Sequence, residues 1–168
     1  MPFSQQQLRN AGRGLTVNAE HYSAKSVSTR QTAFLCHSHT YRDMVAGLQA
    51  TLKQQGWNIY IDWQDSTMPS SPNRQTAERI KQKIVSSNWF FFLATQNSCA
   101  SRWCPWEIGY ADGVKNVQRI LIFPTSDERG IWYGNEYLQL YRKVDITTNS
   151  RVAAFAPNAS TGTLVGAL

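Results

Sequence analysis

No apolar run in the 168-residue chain approaches the roughly 18 residues that cross a bilayer; the longest compact one, Trp89 to Ala94, has the length of a strand. A membrane span is excluded. Lysine and arginine nowhere cluster as a phosphate-tracking surface requires. Residues 1–32 hold four basic residues and one acid, 33–127 nine and seven, and 128–168 four and three, so half of the net charge of +6 comes from an N-terminal arm. The body is nearly balanced, and no nucleic-acid partner is expected. Cysteine is scarce and odd in number: Cys36, Cys99 and Cys104. The first 30 residues lack the apolar stretch of a secretory signal, so reduced thiols in a cytoplasm are expected. No G-x-G-x-x-G follows the first strand and no Walker A lysine loop is present, which removes the Rossmann dehydrogenase and the P-loop NTPase. There is no internal repeat.

What is present fits one globular domain: 19.0 kDa, with 42% hydrophobic and 12% aromatic residues. Thr32 to Cys36 predicts a strand, and Met44, Leu48 and Leu52, spaced by four, predict a helix that stops at Gly56. Trp57 to Asp62 predicts a second strand. Trp63 to Gln75, with Asp65, Ser66, Pro69, Ser70, Ser71 and Pro72, predicts a long loop. Ser71-Pro72 reads as the N-cap and first residue of a helix carrying Ala77, Ile80 and Ile84 on one face. Trp89–Ala94 and Ile120–Phe123 are apolar without alternation, as strands covered on both faces are. One helix is expected between them, entered near Ser101 to Pro105, and Tyr137 to Val144 reads as an edge strand. The alternation predicts an α/β fold: a flavodoxin-like, doubly wound parallel sheet of about five strands with helices on both faces. The expected division is an arm at 1–31, a domain at 32–146 and a mobile tail at 147–168.

Ligands of such sheets bind beyond the carboxyl ends of the strands, which points to the loops Cys36–Thr40, Trp63–Gln75, Thr95–Trp106 and Pro124–Gly134. In Ser101-Arg102-Trp103-Cys104-Pro105-Trp106-Glu107, Trp103 and Glu107 stand four apart and share a helix face. Spacing leaves two readings open. Either tryptophans bury the helix while Glu107 pairs with Arg102 at the surface, or an indole walls a carboxylate, as stabilising a sugar oxocarbenium ion requires. Zinc held by His37, His39, Cys99 and Cys104 is disfavoured, since no C-x-x-C or closed four-ligand spacing exists. A nucleophilic Cys104 at a helix N-terminus is set against a packed thiol.

Phe34-Leu35-Cys36-His37-Ser38-His39 followed by Arg42-Asp43 resembles the first-strand motif of TIR (Toll/interleukin-1 receptor) domains, and Gly56 to Asp62 resembles their second strand. Trp103-x-x-x-Glu107 is similar to the W-x-x-x-E motif of bacterial TIR domains that consume NAD. The resemblance spans residues 32 to 146 and implies the same fold. It implies NAD+ as substrate, with neither cofactor nor metal, and Glu107 as the catalytic residue that cleaves the nicotinamide–ribose bond. Trp103, Phe34, His37, Ser38, Asp62 and Trp63 are the implied substrate contacts. Trp63–Gln75 corresponds to the loop that mediates self-association. A stand-alone TIR protein further resembles the signal-making subunits of Thoeris-like anti-phage systems, whose ADP-ribose-derived product is sensed by a separate effector. The alternative within the family is a non-catalytic interaction module, which generally lacks the glutamate.

Overall fold

The computed structural model describes residues 1–13, 31–69 and 71–168; Ser70 of the long loop and residues 14–30 of the expected arm lie outside that set. In chain order the elements are β1 (Phe3–Ser4), α1 (Gln5–Gly12), β2 (Thr32–Cys36), α2 (Arg42–Gln54), β3 (Asn58–Tyr60) and α3 (Arg74–Ser86). There follow β4 (Trp89–Ala94), α4 (Gln96–Cys99), α5 (Cys104–Val114), β5 (Ile120–Ser126), β6 (Trp132–Tyr133), β7 (Arg142–Ile146), β8 (Val152–Phe155) and β9 (Gly162–Leu164).

The unbroken apolar strands are sorted by the two-residue period of extended chain. Trp89, Phe91 and Leu93 of β4 join Ala33 and Leu35 of β2 and Leu121 and Phe123 of β5 in one core, beneath Leu8 of α1 and Met44, Val45, Leu48 and Leu52 of α2. Phe90, Phe92 and Ala94 join Phe34, Cys36, Ile120 and Ile122 in the other, against Ile80 and Ile84 of α3 and Cys104, Ile108 and Ala111 of α5. Neither face of these strands meets water, so no polar residue alternates along them. The sheet runs β3-β2-β4-β5-β7, all parallel, and continues antiparallel through β8 and β9. This is the expected doubly wound α/β order, and its direction of winding reverses between β2 and β4. The carboxyl ends of those two strands, at Cys36 and Ala94, open the crevice where ligands of such sheets bind.

The chain ends depart from the expected arm and tail. Phe3 of β1 pairs with Thr125 of β5, and Phe3 and Leu8 are each only 4% exposed. Helix α1 crosses α2 through two glycines: a Cβ on Gly12 would lie 1.8 Å from the Asp43 carbonyl oxygen, and one on Gly47 2.0 Å from that of Leu8. The arm has few apolar side chains because backbone-to-backbone approach does the packing. At the other end β8 pairs with β7, β9 pairs with β8, Val165 is fully buried, and the Trp57 indole N–H donates to its carbonyl at 3.1 Å. Positive φ angles at Ser150 (57°) and Asn158 (63°) turn the chain back on itself there, so residues from 152 onward extend the sheet.

Three local expectations also shift. Helix α3 starts later, because Asn73 and Thr76 cap each other reciprocally, each side chain accepting the other's backbone N–H at 3.1 Å; Ser71 would satisfy fewer donors. The segment before β5 holds the short α4 as well as α5, with a reciprocal Thr95–Ser98 cap opening the former. Residues 136–140 form a 3-10 turn, not strand, so that Leu138 and Tyr141, three apart, both reach the core; the strand begins at Arg142 and, paired with β5 on one side and β8 on the other, does not lie at an edge.

Candidate active site

Glu107 sits in the first turn of α5, the helix that packs on the β2–β4 side of the crevice. Pro105 near the helix start and the Ser101 hydroxyl, which accepts the N–H groups of Trp103 and Cys104 at 3.1 and 3.3 Å, set the entry of the chain. The Glu107 side chain then turns inward: the residue is 6% exposed and has no ion pair among the described residues, so the surface pairing with Arg102 is not formed. Burial pushes its carboxyl up to about 7, Asp62 adds to the rise, and the Cys36 thiol as donor and the nearby His39 oppose it.

Cys36 and Cys104 close the floor. The Cys36 thiol faces the Cys104 carbonyl at 3.8 Å, and the Cys104 thiol donates to the His37 carbonyl at 3.4 Å. Both are buried, and burial, reinforced by Cys104 and Glu107, raises Cys36 well above its usual range. Cys104 is therefore a packed thiol that ties α5 to β2, not an exposed nucleophile.

The mouth is built from the loop after β2 and the end of the β3 segment. The second expected strand is shorter than Trp57–Asp62 because Asp62 opens a 3-10 turn over Asp62–Gln64, its carboxylate accepting the Trp63 N–H at 2.7 Å. His39 Nε2 lies 2.7 Å from Asp62 Oδ2, and His37 Nε2 lies 3.4 Å from Asp62 Oδ1 without hydrogen-bond geometry. The hydrogen bond to Asp62 raises His39. Burial lowers His37 against the pull of Asp62, while Asp62, which burial alone would raise, is brought below its usual range by its bond to His39, the charges of both imidazoles and the Trp63 N–H.

Outside this mouth opens a cleft of about 710 Å³ lined by Arg9, Arg13, His39, Thr40, Tyr41, Arg42, Asp43 and Trp63. Arg9 stacks 5.0 Å from the Tyr41 ring and Arg42 5.2 Å from that of Trp63, an arrangement that engages the guanidinium faces and not their N–H edges. Arg9 also makes a long contact, 3.8 Å, with Glu128. The indole N–H of Trp63 is buried without a partner among the described residues.

Of the residues the sequence singled out, His37, Asp62 and Trp63 meet at the mouth. Ser38 stands beside them in a local turn with Thr40, their hydroxyls 3.2 Å apart. Trp103 is partly buried at the head of α5, edge-on to Trp106 at 5.4 Å, and Trp106 stacks in turn on Tyr110 at 6.2 Å. Phe34 is a correction. It is 2% exposed and sandwiched between Tyr60 and Phe90, since its place mid-strand turns it into the core, and it offers substrate no surface. Sequence reasoning missed Arg9 and Arg13, whose spacing of four on a short amphipathic segment was the available signal.

The TIR domain family matches residues 33–156. The chain belongs to the TIR domain family. The match extends past 146, in keeping with β8 as part of the TIR domain, and leaves α1 outside. A curated relative, the probable 3′ cyclic ADP-D-ribose synthase ThsB′ of Bacillus cereus (strain MSX-D12), is 34% identical over 110 residues. That alignment covers 64% of this chain and 57% of the relative, so the chain spans a little over half of the relative's length. Among the described residues, no helix of this TIR domain is long and apolar enough to cross a membrane.

Proposed function

We propose that this TIR domain cleaves the nicotinamide–ribose bond of NAD+ and releases ADP-ribose or a cyclic isomer of it as an anti-phage signal. The observation that carries the reading is Glu107: a buried carboxylate titrating near neutrality, in a Trp103-x-x-x-Glu107 helix start, at the crossover of the sheet. Nicotinamide departs as a neutral molecule, taking the electron pair of the C1′–N bond, so no acid is needed at the leaving group and no metal is called for. Positive charge develops on the ribose, where the Glu107 carboxylate, shielded from water, meets it. Water, or a hydroxyl or ring nitrogen of the same ADP-ribose, then attacks C1′, and Glu107 accepts the proton lost. The product depends on which of these reaches C1′ first.

The remaining residues fall into roles around that step. Trp103 walls the nicotinamide end, Trp63 lends its ring to the wall of the cleft, and Ser38 donates at the rim. His37 and Asp62 shape the mouth, with His37 acting through Asp62 because it is almost wholly enclosed. The cations of the cleft, Arg9, Arg13 and Arg42, match the diphosphate. The free thiols suit a reducing cytoplasm. Self-association through the Trp63–Gln75 loop and a separate product-sensing effector complete the reading. The test is incubation of concentrated protein with NAD+, with and without infected-cell lysate, followed by chromatography. Nicotinamide release that rises more than linearly with protein concentration supports it; intact NAD+ under every condition replaces it with the interaction module.

A further inference from the structure

We propose that His37, His39 and Asp62 form a binding site for one divalent metal ion of the zinc type, at the mouth of the crevice. The structure argues it through the tautomer of His37. Its Nδ1 lies 2.8 Å from the Leu35 carbonyl oxygen, which can only accept, so Nδ1 carries the proton in the neutral ring. Nε2 then presents a bare lone pair. That nitrogen is buried, has no hydrogen-bond partner among the described residues, and faces a carboxylate oxygen at 3.4 Å, while the side chain is 2% exposed. Two acceptors facing each other in a dry place repel, and a cation between them removes the conflict.

The rest of the geometry suits a metal. The donor atoms of His37, His39 and Asp62 all lie within 4.8 Å of one another, a cluster no other His, Cys, Asp or Glu group makes among the described residues. Ligands of a tetrahedral ion at about 2.0–2.2 Å stand about 3.4 Å apart, which the His37–Asp62 pair already matches. His39 must retreat a little from its 2.7 Å contact, and its side chain, 63% exposed, is free to do so. The backbone carbonyl behind His37 is the outer partner that metal-bound imidazoles use to fix their tautomer. Two imidazoles and one carboxylate favour Zn2+ or Co2+ over Mg2+, and three protein ligands leave a position open toward the cleft. This departs from the expectation of no metal and from the four-ligand set with Cys99 and Cys104, because Cys104 Sγ is engaged with the His37 carbonyl. The proposal does not rest on NAD+ chemistry.

The experiment titrates the untagged full chain with Co2+, read by visible absorption, and with Zn2+ in competition. One saturable site per chain is expected, with the intense bands of tetrahedral cobalt and no thiolate-to-cobalt charge transfer. His39→Ala, at an exposed position, and Asp62→Asn should each weaken binding on the order of a hundredfold while circular dichroism stays native, and His21→Ala should leave it unchanged. His37→Gln, buried and therefore checked for folding first, should do the same as His39→Ala. No saturable binding at millimolar Co2+, wild-type affinity in His39→Ala or Asp62→Asn, loss of binding in His21→Ala, or a thiolate band would each overturn the site.

Discussion

Glu107 and the arginine-lined cleft stand on either side of one mouth and meet water on opposite terms. The carboxylate is 6% exposed and pushed up to about 7 by burial, whereas Arg13 and Arg42 of the cleft are exposed and Arg9 is half-buried among the described residues. Removing a charge from water costs far more than holding it at a surface, so the buried side carries strong, costly electrostatics and the open side weak, adjustable attraction. The first is suited to a transition state, the second to capturing an anionic substrate.

The sharpest way to break that contrast is Glu107→Gln. Nicotinamide release should fall on the order of a hundredfold to a thousandfold with KM little changed, because the lost interaction forms with charge that develops only during bond cleavage. Steady-state kinetics on the purified variant decides it, and wild-type turnover would remove Glu107 from the reaction.

The next effect concerns what holds the open wall in place. Gly12→Ala or Gly47→Ala drives a Cβ into a facing carbonyl oxygen and should lower stability by about 3 kcal/mol, a melting temperature drop of roughly 6–12 °C. Deleting residues 1–13 should do at least as much, since Phe3 and Leu8 leave the core with them. Thermal unfolding measures both, and an unchanged midpoint would mean that α1 is not part of the packed domain.

Burial of Glu107 also makes a stability statement. Below its ordinary 4.5 the carboxyl is protonated whether folded or unfolded. Between 4.5 and about 7 the unfolded chain ionises while the folded one resists, so this group's contribution declines as pH rises through that window and is level above it. Glu107→Gln should therefore be more stable than wild type at pH 8, by up to about 3 kcal/mol, with the gain gone at pH 4. Denaturant titrations at the two pH values check the sign. On the proposed mechanism, kcat/KM of the wild type should rise with pH through about 7, because the ionised form is the one that would stabilise a ribosyl cation.

The smallest effect belongs to the open side. Arg13→Ala should raise KM about fivefold at low salt, leave kcat nearly unchanged, and lose its effect as ionic strength grows, since the side chain works through screened attraction. A KM that is insensitive to both the mutation and salt would take the diphosphate out of this cleft.

Much of this was legible in the residues. Phe90-Phe91-Phe92 announces a strand buried on both faces, because only a central position can hide three such rings in a row. The four-residue spacing of Trp103 and Glu107 placed the carboxylate at a helix start. The packing of the N-terminal helix was not legible, since its amphipathic segment is short and its approach to α2 runs through two glycines in backbone contact, which carry no side chain to mark it. The predicted strand Thr32–Cys36 already put Phe34 mid-strand, but the rings that enclose it, Tyr60 and Phe90, come from other strands and could not be read from its neighbours in sequence.

By itself, the sequence determined the sorting of apolar runs into central strands, the helices of α2 and α5, and a glutamate four residues after a tryptophan, because these follow from the period of each element. Only the tertiary structure decided that Glu107 is dry, that His37 and His39 meet an aspartate 23 residues further on than His39, and that arginines from the N-terminal segment line the mouth. Periodicity says which face of an element is hidden, but the protonation, pairing and reach of a side chain depend on what other elements bring within a few ångströms of it.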